Sequence, residues 1–189
     1  MQGDAAERRH RPFLEAAHLM DEFSTRVDQW RDFFTLAGTS AATLIGLLFV
    51  AVTLRKDIRA SPPGSVHRTM VSQNFTNLLM VVLFALYFMV PDMGRSSMGW
   101  SLLLTAAVPF VAIPRAWRRL RHDDAMTGDV KFWSFLVPAL CYLATMGIAV
   151  ALFLHDDTEI DWFIPVVALL LIIPTRNSWE LLLESPESA

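Results

Sequence analysis

The sequence predicts an all-α polytopic membrane protein with about five transmembrane helices and an N-terminal amphipathic helix. Three observations carry this. Residues 33–54 form a run of twenty-two residues without a charge between Asp32 and Arg55. At about 1.5 Å per residue such a helix spans the roughly 30 Å hydrocarbon core of a bilayer. The chain of 189 residues is 53% hydrophobic and 19% charged, and its charges stand in blocks between apolar runs, as a bilayer requires. Basic residues also crowd into alternate loops, the asymmetry that orients membrane helices.

Residues 1–32 read as a polar segment followed by an amphipathic helix. The opening MQGDAAERRHR lacks apolar periodicity and is predicted to be irregular. Pro12 suits the first position of a helix in which Phe13, Ala17, Met20, Phe23, Val27, Trp30 and Phe34 recur at helical spacing. Its other face carries Glu15, Asp21, Glu22, Arg26, Asp28 and Arg31. This helix is expected either to lie at the membrane surface or to pack on a neighbouring subunit. No cleavable signal peptide is expected, because the first apolar run is too long and too late; that first span serves as the targeting signal.

Within the run 33–54, Thr35, Thr39, Thr43, Gly46, Val50 and Thr53 fall in one sector of roughly 80° on a wheel of about 100° per residue. Leu44, Ile45, Leu47, Leu48 and Phe49 lie outside it. Gly38, Ala42 and Gly46, spaced by four, make a small-xxx-small row that lets helix backbones approach closely in lipid. This side is expected to meet protein or water. Two readings stand for the threonines: a packing seam in which each hydroxyl bonds back along its own helix, or a narrow polar path lined by copies of the helix.

A transmembrane domain over 33–184 is completed by runs near 71–90, 99–114, 132–154 and 160–183, with a tail at 185–189. In the second run Gln73 and Asn77 stand four apart, so their amides should meet other helices or water. The third contains Pro109, expected to kink it, and is expected to close at Pro114 before the basic block RAWRRLR. The fourth holds Pro138, Cys141 and Gly147. The fifth has a short apolar core, Trp162 to Pro174, expected to be completed by continuation to Leu183.

Loops 55–70 and 115–131 hold nine Lys or Arg residues, whereas loops 91–98 and 155–161 hold only Arg95. The first pair is expected to be cytoplasmic. Five crossings then leave the N-terminal segment outside, against the pull of its own arginines. Arg115, Arg118, Arg119 and Arg121 read as an anchor on anionic lipid headgroups.

No Asp, Glu, Lys, Arg or His lies well inside the five apolar cores, which argues against proton-coupled transport. The five histidines lie outside the spans, and no phosphate-cradling glycine loop or dinucleotide fingerprint is present. Neither an enzyme nor a cofactor is expected. The single cysteine, Cys141, excludes an intrachain disulfide and the cysteine-rich zinc patterns. The net charge of −3 gives no reason to expect nucleic acid as a partner. In the loop HDDTEID, His155, Asp156, Asp157, Glu159 and Asp161 could attract cations near an outer mouth; the simpler reading is a capping box of Thr158 and Asp161 beside a solvated loop, with no metal bound.

The stretches GTSAATLIGLLFVAVTL and TRNSWELLL resemble those of small bacterial multi-pass inner-membrane proteins of unassigned function. The resemblance covers 26 of the chain's 189 residues. It implies a bacterial inner-membrane setting and a helical fold, and carries no activity, cofactor or catalytic residue. Arg176, Asn177 and Trp179 are expected to cap or anchor the last helix at the cytoplasmic interface. The expected function is that of a homo-oligomer in the lipid bilayer, forming an ion-conducting or small-solute pore lined or sealed by the first span. The alternative is a non-conducting regulatory or scaffold protein that binds a protein partner through its N-terminal helix or cytoplasmic loops.

Overall fold

A computed structural model describes the backbone of residues 3–55, 65–91, 93–120, 132–154 and 161–183. Side chains are described for residues 25, 27–55, 65, 68–91, 93–110, 133–154 and 161–178. The described residues form five α-helices: α1 (Gly3–Leu54), α2 (Val66–Met89), α3 (Arg95–Leu120), α4 (Val137–Phe153) and α5 (Phe163–Leu183). A π-helical turn, Phe132–Leu136, leads into α4. Pro138 follows directly, with no N–H to give the carbonyl of Ser134, so the ladder changes pitch where a proline can sit in the first turn of α4. No strand occurs among the described residues.

Three segments, Val27–Leu54, Arg68–Met89 and Trp133–Phe153, are long and apolar enough to cross a membrane by length and composition. The apolar part of α5, Phe163–Ser178, is shorter. Helix α2 is the hub: it packs most extensively on α1 and also meets α5 and α3, while α3 packs along α4 and α5 fits against α2 and α4. At one end of this bundle Phe34 of α1, Phe84 and Phe88 of α2 and Phe163 of α5, all fully buried, close on one another. The Phe34 and Phe88 rings stack at 3.6 Å between centroids, and Phe163 stacks on Phe88 at 5.7 Å and meets Phe84 edge-on at 5.0 Å. Trp30 Nε1 donates to Asp161 Oδ1 at 3.1 Å, which ties the start of the α1 span to the start of α5 at this same end.

Three boundaries differ from the sequence reading. The amphipathic segment and the first span are one uninterrupted helix of 52 residues, about 78 Å long, and the opening residues expected to be irregular are helical from Gly3. Helix α3 does not stop at Pro114 but runs through it, and through Pro109, to Leu120. Helix α5 likewise continues through Pro174 to Leu183, as its expected continuation requires. A proline removes one backbone bond, whereas ending a helix exposes four carbonyls, so in an apolar setting a continued helix is the smaller loss.

Candidate functional site in the first helix and the buried amide cluster

Helix α1 buries Phe34, Ala37 and Ala41, with Leu44, Ile45 and Trp30 packed beside them. On the wheel this face is nearly opposite the threonine sector. Gly38 lies at its edge and supports close approach: a Cβ there would stand 2.7 Å from the Cβ of Ala85 in α2. The rest of the small row turns away from the chain, since Ala42 is exposed and a Cβ on Gly46 would meet nothing within 4 Å. Only 11% of the α1 span is buried, against 50% for α2, so α1 lies at the margin of the bundle.

Thr35, Thr39, Thr43, Val50 and Thr53 are all exposed. Each threonine hydroxyl donates to the carbonyl four residues earlier: Thr35 to Arg31 at 2.8 Å, Thr39 to Thr35 at 2.8 Å, Thr43 to Thr39 at 2.9 Å and Thr53 to Phe49 at 2.7 Å. That pattern satisfies the hydroxyl protons inside the helix and leaves the stripe exposed.

The polar residues of α2 are gathered inside. Asn74 and Asn77 are fully buried and Gln73 nearly so. Asn77 Oδ1 accepts from Tyr142 Oη of α4 at 2.8 Å and from Gln73 Nε2 at 3.3 Å, and Asn74 Oδ1 accepts from Asn177 Nδ2 of α5 at 3.0 Å. The Gln73 and Asn77 amides thus do meet other groups within the bundle. Asn74 and Tyr142 were missed in the sequence; the run SQNFTN places Asn74 three before Asn77 on one face, which was the available signal. Asn177 is buried, with an exposure of 1%, and so joins α5 to α2 instead of facing an interface. Arg176 lies over the Trp133 ring at 4.7 Å. The Nδ2 atoms of Asn74 and Asn77 meet no acceptor among the described residues.

Of the acidic loop 155–161, His155, Asp156, Asp157 and Glu159 lie outside the described residues, and Asp161 receives the Trp30 indole. The side chains of Arg115, Arg118 and Arg119, the whole of Arg121, and the side chain of Trp179 also lie outside them. Among the described residues no group of His, Cys, Asp and Glu could hold a metal ion. The aromatic closure at one end and the amide cluster further along bury side chains of α2, α4 and α5 between the described helices. No family model, curated protein or solved structure matches this chain.

Proposed function

We propose that this chain is a homo-oligomeric integral membrane protein whose α1 helices meet through the threonine face, forming or sealing an ion-conducting or small-solute pore. The observation that supports this is the exposure of Thr35, Thr39, Thr43, Gly46 and Thr53 on a helix apolar enough to span a membrane. A small, partly polar face gains little from lipid, whereas helix backbones pack closely through it. A chain of this size with few polar groups inside its apolar runs can enclose a path only by sharing it among copies. Five crossings, a bacterial inner membrane and cytoplasmic loops 55–70 and 115–131 complete the proposal; the joining of the α1 and α5 starts by Trp30 and Asp161 supports the odd number of crossings.

Gly46→Leu and Thr39→Val test this reading. The first places a bulky side chain where the chain itself offers open space, so the protomer keeps its stability while assembly weakens by about 1–3 kcal/mol. The second keeps the shape and removes the hydroxyl, so oligomers survive and bilayer current falls. Oligomer mass and current are the measurements, and unaltered assembly in Gly46→Leu removes the proposed interface.

A second reading, a non-conducting regulatory or scaffold protein, draws support from the length of α1. Its helix continues for twenty-four residues, Gly3 to Arg26, before the apolar span opens at Val27. Such an extension offers a surface for a protein partner.

A further inference from the structure

Helices α1 and α5 start together, where Trp30 bonds Asp161 and the Phe34 and Phe163 rings stand 5.7 Å apart between centroids. Further along they part. A groove of about 750 Å³ lies between Leu48 and Val52 of α1 and Leu171 and Thr175 of α5, with Val71 and Leu78 of α2 also lining it. The buried residues of the α1 span are Phe34, Ala37 and Ala41, and none of residues 42–55 is buried. The span is thus pinned over its first half and loose over its second. On the opposite flank of α1 a smaller groove of about 440 Å³ is lined by Phe49 and Phe75, whose rings meet edge-on at 5.7 Å.

The loose half carries an exception in the threonine face. Val50 is the one position of that sector with neither a hydroxyl nor a glycine, and it is exposed. We propose that Val50 is a hydrophobic gate on the path formed by the threonine face, and that it opens when the end of α1 bends into the groove toward α5; the inference rests on the pore reading above. A ring of isopropyl groups in a narrow path excludes water, and with it ions. The bend has a place to occur: the hydroxyls of Thr39 and Thr43 bond back along the helix where burial stops, and such back-bonding bends helices. From Ala41 to Val50 the helix is about 13 Å long, so a bend of roughly 15° carries Val50 by roughly 3 Å. The direction follows from the wheel, on which the groove-lining positions of α1 centre roughly 150° from the threonine sector. Motion into the groove therefore draws Val50 back from the neighbouring copies. It also parts Phe49 from Phe75, which flanks the other groove, so that ring pair is the latch of the closed position.

The test uses the full chain in planar bilayers, with oligomer mass followed in parallel. Val50→Thr keeps the outline of the side chain and makes the ring wettable, so potassium current should rise severalfold at unchanged mass, while Val50→Leu should lower it. Phe49→Ala removes the latch and should raise the open fraction roughly two- to tenfold. Leu171→Trp fills the groove and should lower it. Spin labels at Val52→Cys and Thr175→Cys, in a Cys141→Ser background diluted with unlabelled chain, read the groove without any current: a shorter distance should gain population in Phe49→Ala and lose it in Leu171→Trp. Current through Val50→Thr equal to that of the native chain overturns the gate and leaves the pore standing. One unchanging label distance in all variants overturns the bend. Absence of current from the native chain and Val50→Thr alike overturns pore and gate together.

Discussion

Asn77 is the residue on which the interior turns, because its single side-chain carbonyl oxygen accepts from Gln73 on its own helix and from Tyr142 of α4 at once. Tyr142→Phe deletes one of those bonds and keeps the ring, and is expected to destabilise the fold by about 1 kcal/mol, near the usual value for a hydrogen bond between membrane helices. Asn77→Leu strands both the Gln73 amide and the buried Tyr142 hydroxyl and should cost about 2–4 kcal/mol, since each orphaned group loses its partner without regaining water. Unfolding in mixed micelles reads both, and equal tolerance of the two substitutions would show that the cluster is not a structural joint. Gln73 and Asn77 were legible as a pair because two amides four apart in an apolar run need company. Their partner Tyr142 was not, nor was the bond from Asn177 to Asn74, since these side chains arrive from helices 65 and 103 residues further along the chain. Nothing local in YLAT or RNSW distinguishes a tyrosine that plugs into an amide from one that meets the headgroups.

At the scale of the element, α1 carries the division between what the chain uses for itself and what it leaves outward. Both of its sides offer small residues, Ala37 and Ala41 on one, Ala42 and Gly46 on the other, so its own sequence fits two packing faces equally well. The choice is made by α2, whose Phe84 and Phe88 are buried together with Phe34 and whose Ala85 admits Gly38. Leu48, placed by the wheel on the greasy side, accordingly lines the grooves between helices. Deleting residues 1–24 separates the two functional readings, because it spares the Val27–Leu54 span and the Trp30 bond to Asp161. Oligomer mass and single-channel current should survive the deletion. If assembly vanishes while the truncated chain still melts cooperatively, copies are held by the extension and not by the threonine face. The unbroken junction near Asp32 was illegible because a helix needs no signal to continue, and the change from mixed charge to apolar composition marks a change of solvent rather than of backbone.

For the whole molecule, the charge asymmetry of the loops and the joining of the α1 and α5 starts make one orientation expected. Single cysteines at Ser61 and Ser96, in a Cys141→Ser background, should react oppositely with a membrane-impermeant maleimide: Ser96→Cys in intact cells, Ser61→Cys only after permeabilisation. Labelling of both from one side would contradict the alternation of crossings. The helical class was readable from apolar run lengths alone, but the order of neighbours was not. Helices that differ little in hydropathy are sorted by side-chain shape and by a few polar contacts, and those depend on residues far apart in the chain.

The back-bonded threonines of α1 have a further electrical consequence. A hydroxyl owns one proton and two lone pairs, and along this face the proton is already given to the carbonyl one turn back. What the stripe turns outward is therefore a ladder of oxygen lone pairs with no donor among the hydroxyls. Water can approach hydrogen-first and a cation can exchange part of its hydration shell for these oxygens, while an anion finds nothing there to receive it. Copies of α1 gathered around an axis through this face would make a cation-selective lining without a single carboxylate.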